Sequence, residues 1–361
     1  MYHYEHRLPV IPPPPPPLPP PKDKSEASSA GKIHILAHNN LNMFCLNYLK
    51  KATSNFKHNM RSMIGGGEFG EVFEGEFVIR HYTSYQICED RRRVAIKKFR
   101  RYKIRKCMNA NGIIKVVDMA FLREFNHPNI VKVLGYCFED ETLFLIYEFM
   151  ANGSLDSHLF TKDKIPLPWK ARVKIAMGIA DALLHLHTTQ NQVDDFSIKI
   201  HQILLDKDFN AKISDFESAI LVYGGSFNKI KHCRKFLLCR LSYFSYMLKS
   251  NKTIPISDNS EYEGIVRSFG VLLIQLITGE RISDIGIANL RQNMWDPKGE
   301  IRKESLRRAM DPRLHNIDNT TIMEAMKLAL DCVAIPFFPL KKAVDVLTQI
   351  YTHIIRCDVP N

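Results

Sequence analysis

The sequence predicts an α+β fold, with strands concentrated in the first half of its globular part and helices in the second. Two runs rich in branched and aromatic residues, 130–136 and 143–148, have the composition of β-strands. The segment 169–187 carries apolar residues at helical spacing, and 322–333 and 342–350 are also predicted helices. At 361 residues and 45% hydrophobic, the chain can form one large domain or a two-lobed one.

Charge and cysteine content exclude several classes of protein. The net charge of +12 is expected on a solvated basic surface, because no basic motif with interleaved aromatics indicates nucleic-acid binding. Eight cysteines without a C-x-x-C pair indicate reduced cytosolic thiols. His232, Cys233 and Cys239 lie near one another in sequence, but two thiols and one imidazole make a weak metal site.

No targeting or membrane signal is recognised. The longest apolar run, 269–277, is too short to span a bilayer, the N-terminus lacks a signal peptide, and Tyr2 excludes myristoylation. We therefore expect a cytoplasmic protein without a transmembrane segment, and leave open a peripheral location at the plasma membrane through partners.

Residues 1–40 are predicted to be a disordered tail. Proline is unbroken from 12 to 17 and returns at 19–21, which favours extended polyproline II because proline fixes φ and donates no hydrogen bond. Such a segment can bind an aromatic groove of the SH3, WW or profilin kind. A solvated spacer explains the composition more simply, and we prefer it by roughly two to one.

Two motifs in order indicate a phosphate-binding site. The segment 64–72 fits G-x-G-x-x-G-x-V, a flap whose glycines let backbone amides approach phosphates. The segment 94–97 matches V-A-I-K, whose lysine, here Lys97, would hold the α- and β-phosphates. We interpret the intervening insertion, 77–93, as an exposed loop that ends in three arginines.

The stretch 193–217 resembles the catalytic centre of a protein kinase. Its second half predicts two short strands leading to Asp215, where a kinase holds magnesium. The segment 44–56 further resembles the F-x-x-x-x-L-x-x-A-T-x-N-F lead-in of plant receptor-like kinases. From about 44 to 350 the chain is most similar to the plant receptor-like cytoplasmic kinases.

This resemblance implies a two-lobed protein-kinase fold: a small lobe with a five-stranded antiparallel sheet plus one helix, and a mainly helical large lobe. The expected domains are a tail at 1–40, an N-terminal extension at 41–59, a small lobe at 60–147, a large lobe at 148–353 and a C-terminal tail at 354–361.

The resemblance also implies an ATP site. Its expected nucleotide-binding residues are Ile64, Gly65, Gly66, Gly67, Gly70, Val72, Ala95, Lys97, Asp118, Tyr147, Glu148, Met150, Leu204 and Asp215. Within this set, Asp118 replaces the glutamate of the small-lobe helix (about 112–125) that should pair with Lys97. Tyr147 is expected behind the adenine, with 148–150 connecting the lobes. Asp215 and Gln202, which replaces the usual Asn, are the weak metal ligands.

Several catalytic positions of the family are replaced, and the replaced residues are ones that support or pair with one another in the family. Ser197 stands where the family has its catalytic Asp, although Lys199 is retained, and Phe196 replaces the neighbouring Arg. Ile265 replaces the helix Asp that caps the catalytic-loop backbone. The A-P-E glutamate and the arginine that pairs with it are both absent, and Glu217 replaces the glycine of D-F-G.

We therefore hypothesise a pseudokinase that binds ATP weakly, with Mg²⁺ doubtful, and serves as a scaffold for receptor kinases or other signalling proteins. Weak phosphotransfer with Asp195, or its neighbour Asp194, as a substitute base is the main alternative. A polyproline-driven adaptor and a decaying gene copy remain open.

Overall fold

The computed structural model describes ten stretches of the chain: 41–57, 62–67, 69–82, 87–101, 126–161, 164–188, 198–215, 260–314, 317–335 and 338–358. They form a sheet-rich small lobe and a helical large lobe, as the sequence predicts. Among the described residues, no helix combines the length and the apolarity needed to cross a membrane.

The small lobe is built on one sheet of six strands, in the order β1-β5-β6-β4-β3-β2. The strands are β1 (Asn42–Met43), β2 (Met63–Gly66), β3 (Gly70–Tyr82), β4 (Ile87–Phe99), β5 (Val133–Glu139) and β6 (Thr142–Glu148). The runs of branched and aromatic residues at 130–148 thus supply β5 and β6, which pair antiparallel at the centre.

The sheet has one strand more than the five antiparallel strands that we expected. The additional strand is β1, which runs parallel to β5. Asn42 lies opposite Gly135, and Phe44 N donates to Tyr136 O at 2.8 Å. A side chain at Gly135 could not be accommodated, since its Cβ would lie 2.3 Å from Asn42 O. The N-terminal extension therefore closes the edge that β5 would otherwise expose.

The insertion at 77–93 is not a loop, and this expectation was wrong. β3 and β4 continue as a paired ribbon from Gly70↔Phe99 to Tyr82↔Ile87. Ion pairs join the strands from Arg93 to Glu74 at 2.6 Å and from Arg91 to Glu76 at 3.2 Å. Cross-strand pairs of opposite charge stabilise a ladder, so the arginines line an exposed strand instead of ending a loop.

Helix α1 (Leu46–Ala52) attaches the N-terminal extension to the sheet. Leu46, Leu49 and Phe56 are buried in a small-lobe core that also includes Phe73 and Ile146. The extension therefore belongs to the hydrophobic core of the small lobe.

Replacing Leu49 by alanine should lower the free energy of unfolding by about 2–5 kcal/mol, because a fully buried leucine is lost and a cavity remains. Urea unfolding of the purified chain measures this difference. The control is Asn47→Ala on the exposed side of the same helix, expected within about 0.5 kcal/mol of wild type. Equal stability of the two variants would show that α1 contributes nothing to small-lobe folding.

The large lobe packs helices around α4, with a three-stranded sheet facing the small lobe. The helices are α2 (Leu155–Leu159), α3 (Trp169–Thr188), α4 (Ser260–Thr278), α5 (Asp284–Met294), α6 (Lys303–Ala309), α7 (Asn319–Ala334) and α8 (Leu340–Asp358). The sheet pairs β7 (Gly153–Ser154), β8 (Ile203–Leu205) and β9 (Ala211–Ile213) in that order. The helical periodicity at 169–187 thus predicted α3 almost to the residue.

A buried ion pair connects helix α3 of the large lobe to Asp311. The Arg172 guanidinium on α3 is 2.6 Å from Asp311 Oδ2, and both residues are 1% exposed. Arg172 also donates to Leu167 O and Leu276 O, each at 2.8 Å. Arg313 approaches the same Asp311 oxygen to 2.9 Å. Every charged group in this cluster therefore has a partner, which is the condition for burying charge without a large penalty.

Several predictions lie outside the described residues. These are the small-lobe helix around 112–125, the activation segment after Asp215, the proline-rich tail and the group His232, Cys233 and Cys239.

Candidate nucleotide cleft

The glycine segment forms the predicted flap. β2 and β3 pair antiparallel with Gly65 opposite Val72, and Gly67 N donates to Gly70 O at 2.9 Å to close the turn. A Cβ on Gly67 would meet no atom within 4 Å, whereas one on Gly70 would lie 2.2 Å from Lys98 O. Gly70 is thus required for the close approach of β3 to β4. Gly67 leaves the outer side of the turn open to an approaching phosphate.

Lys97 projects from the middle of the sheet. In β4 it lies opposite Val72 of β3 and Leu145 of β6, and the residue is 5% exposed. Its Nζ donates to Asp215 Oδ1 at 2.7 Å. The structure thereby joins two residues that the sequence separates by 118 positions, and both are expected nucleotide-binding residues.

Asp215 reaches this position because β8 and β9 pair antiparallel, with Ile203 opposite Ile213. Beyond the strands, the backbone and hydroxyl of Ser214 donate to Gln202 O at 2.8 and 2.9 Å. Asp215 itself has φ +63°, a region that non-glycine residues rarely occupy and that clusters at functional sites. Its side chain is 44% exposed, so the carboxylate faces open space beside Lys97.

Gln202 turns its side chain towards the backbone. Its Oε1 accepts a hydrogen bond from Lys199 N at 2.9 Å, and this bond caps the short 3₁₀ turn Ile200–Gln202. The longer side chain therefore folds back on the retained lysine position. Within the described residues, no group of three or more His, Cys, Asp and Glu side chains could hold a metal ion.

A serine that the sequence analysis missed supports the loop before this turn. Ile265 is buried at 5% exposure, as expected of an apolar replacement of the family's aspartate. One turn later on α4, Ser268 Oγ accepts from Ile198 N at 3.1 Å and donates to Ile265 O at 2.8 Å. Ser268 therefore binds a loop amide that lies one residue after Ser197. The i,i+3 spacing on one helix face was the signal that could have revealed it.

The opposite wall of the cleft comes from β6 and the connecting segment. Tyr147 is 7% exposed and lies opposite Ala95 of β4. The Glu148 carboxylate binds Lys212 Nζ at 2.8 and 2.9 Å, so its side chain is already paired.

Two further residues of the expected site belong to the large lobe. Met150 is 7% exposed at the start of the large lobe, and Leu204 is partly buried in β8. The positions Ser197, Asp195, Phe196, Asp118 and Glu217 lie outside the described residues.

The flap, the buried lysine and the aspartate after two short strands together define a protein-kinase domain. A family model for protein tyrosine and serine/threonine kinases matches residues 58–284. The probable serine/threonine-protein kinase PBL11 of Arabidopsis thaliana is 33% identical over 312 residues, covering 83% of this chain and 74% of that protein. The EPD1-interacting receptor-like cytoplasmic serine/threonine-protein kinase 5D of Gossypium barbadense is also 33% identical, covering 83% of this chain and 61% of that one.

Solved structures agree on the fold. An apo pseudokinase aligns with TM-score 0.60 at 19% identity, covering 90% of this chain and 99% of that one. The pseudokinase DRIK1 (drought responsive inactive kinase 1), bound to ENMD-2076, aligns with TM-score 0.59 at 18% identity, covering 87% and 98%. The chain belongs to the protein kinase family, and its curated relatives are plant receptor-like cytoplasmic kinases.

Proposed function

We propose that this chain is a pseudokinase that binds nucleotide weakly and acts as a signalling scaffold or regulator in the cytoplasm. The observation that carries the proposal is the ion pair between Lys97 and Asp215 at 2.7 Å. In this arrangement a side-chain ammonium neutralises the carboxylate that would otherwise attract a magnesium ion. The domain can therefore retain its fold and its phosphate-binding groups without depending on metal.

The metal site is weak for a second reason. Gln202 would have to release Lys199 N to direct its amide oxygen at a metal, and Mg²⁺ demands near-ideal octahedral geometry. The glycine flap offers backbone amides to nucleotide phosphates, and Lys97 would share its charge between a phosphate and Asp215, which supports weak binding of nucleotide.

The proposal also includes the loss of phosphate transfer to a substrate hydroxyl. Ser197 carries no carboxylate to accept the proton of a substrate hydroxyl. Ser268 supplies one neutral hydroxyl to the adjoining loop, in place of the charged cap that the family has at Ile265. Ser268 therefore holds the described end of this segment, at Ile198, while the sequence before it offers no proton acceptor at position 197.

An active but divergent serine/threonine kinase is the second candidate. The names of the curated relatives favour it, because they describe serine/threonine-protein kinases. In that reading Asp195 accepts the proton and the chain transfers the γ-phosphate of ATP. The name of one relative also states an interaction with EPD1, which supports our proposal that receptor kinases or other signalling proteins are partners. The proline-rich tail is a candidate site for an SH3, WW or profilin-like domain.

Thermal-shift measurements with ATP test the nucleotide half of the proposal. We expect a modest rise in melting temperature that changes little on adding magnesium, and its loss in Lys97→Ala because the phosphates lose their buried cation. Lys174→Ala, an exposed lysine on α3, is the matched control and should keep the shift. A large shift that appears only with magnesium would contradict the proposed weak metal site.

A further inference from the structure

A basic pocket lies at the end of β4, beside the cleft, since the ring of Phe99 in its lining is 5.0 Å from Lys97 Nζ. Its volume is about 320 Å³, and its lining is Glu71, Lys98, Phe99, Arg100, Arg101 and Thr142. We call this set the anion pocket. Three of these residues are basic and one is acidic, so the lining is predominantly basic.

One hydrogen bond orients the exposed side chain of Arg101 in this pocket. Its Nε donates to Thr142 Oγ1 at 3.0 Å, and Thr142 is 4% exposed. The threonine hydroxyl in turn donates to Asp140 O at 3.1 Å, so its rotation is restricted. Among the described residues this is the only hydrogen bond of the Arg101 guanidinium, which has five N–H donors in a planar fork. The other N–H groups of the Arg101 guanidinium therefore have no hydrogen-bond acceptor among the described residues.

The side chain of Lys98, a second basic residue of the pocket, contacts an aromatic ring. Its Nζ lies 5.6 Å from the centre of the Phe56 ring, within the range of a cation–π contact. Since successive side chains of a strand point to opposite faces, Lys98 points away from Lys97 and the cleft. Occupation of the anion pocket should therefore not compete with nucleotide.

We propose that the anion pocket binds the phosphoryl group of a phosphoserine or phosphothreonine in a partner protein. A phosphorylated hydroxyl residue carries about −1.5 to −2 charges at neutral pH, and a predominantly basic lining attracts such a group. An arginine fork and a lysine are the groups that recognise phosphate in proteins, the fork by paired hydrogen bonds. The concave shape favours a single protruding phosphoryl group over the flat surface of a membrane.

Fluorescence anisotropy of a labelled peptide tests this assignment on the full chain. The probe is a Gly-Glu-Ala-phosphothreonine-Ala-Glu-Gly peptide, beside the same peptide without phosphate. We expect binding of the phosphopeptide alone, weakened about tenfold or more in Arg101→Gln, since a charge-assisted hydrogen bond is lost. Thr142→Val should weaken binding less, because it keeps the charge and removes only the anchor. Excess ATP should not displace the peptide.

Arg91→Gln is the matched control, because it removes an exposed arginine of β4, the strand that precedes Arg101. It should bind the phosphopeptide within about twofold of wild type, since surface ion pairs contribute little. Equal binding by wild type and Arg101→Gln, no preference for the phosphorylated peptide, or no binding at all would overturn the proposal. So would binding to phosphatidylserine vesicles without binding to the phosphopeptide. Melting temperatures confirm that each variant is folded.

Discussion

Replacing Arg172 by methionine should lower the free energy of unfolding by about 3–5 kcal/mol, because the substitution leaves buried polar groups without their donor. Asp311 keeps Arg313 as a partner, but Leu167 O and Leu276 O lose the guanidinium that now satisfies them. Methionine has similar length and no charge, so packing is largely kept. Urea unfolding of the purified chain gives the difference.

Arg281→Met is the matched control, since it makes the same chemical change in an exposed ion pair with Asp156. A surface pair contributes about 0–1 kcal/mol, so this variant should unfold almost as wild type does. If both variants lose the same stability, the buried pair has no special role in the large lobe.

The stability that the ion pair between Arg172 and Asp311 contributes depends on pH, and the direction of this dependence follows from the pKa of Asp311. Burial is the largest influence on the pKa of Asp311 and raises it, but hydrogen bonds from Arg313 and Arg172 outweigh burial and leave the pKa below its ordinary 3.8. A carboxyl whose pKa is lower in the folded state stabilises fully above its unfolded pKa. That contribution is lost as the pH falls through 3.8 towards the folded value. The difference in free energy of unfolding between wild type and Arg172→Met should therefore become smaller below about pH 4.

The second large effect is the loss of phosphate transfer that the proposed pseudokinase function predicts. A working protein kinase turns over at roughly 1–100 per second, and losing a general base usually costs about 10²–10⁴ in rate. We therefore expect negligible transfer of phosphate to protein substrates.

Restoring the carboxylate by Ser197→Asp should recover little of this activity. Phe196 and Ile265 would still leave the loop without the arginine and the charged cap that support a catalytic aspartate in the family. Ser268 binds the amide of Ile198, but a neutral hydroxyl supplies no charge to orient the new carboxylate. Full recovery in this single variant would show that the supports are dispensable.

The cleft could be predicted from the sequence because its motifs are local and fixed in spacing. The flap needs glycines at set positions, and the strand motif places Lys97 in the sheet. Two short strands with a tight connection then deliver Asp215 to the same place. The ion pair between Lys97 and Asp215 itself was not predicted, because the sequence analysis expected Asp118 to pair with Lys97.

Features that depend on distant partners could not be predicted in this way. The arginines of 91–93 resemble a solvated loop until their partners, Glu74 and Glu76, are brought opposite by the β3–β4 ladder. The strand β1 has two residues, too few for any periodicity, and it forms only because Gly135 admits a close backbone. The hydrogen bond that the backbone of Lys199 donates to the Gln202 side chain leaves no pattern in hydrophobicity.

The measurement that tests the central claim most directly is phosphate incorporation from radiolabelled ATP by the purified full chain, with casein as substrate. The pseudokinase account predicts no incorporation above the level of Lys97→Ala, with or without magnesium. Robust incorporation by wild type, abolished both in Asp195→Asn and in Lys97→Ala, would contradict it and show an active, divergent serine/threonine kinase whose base is Asp195.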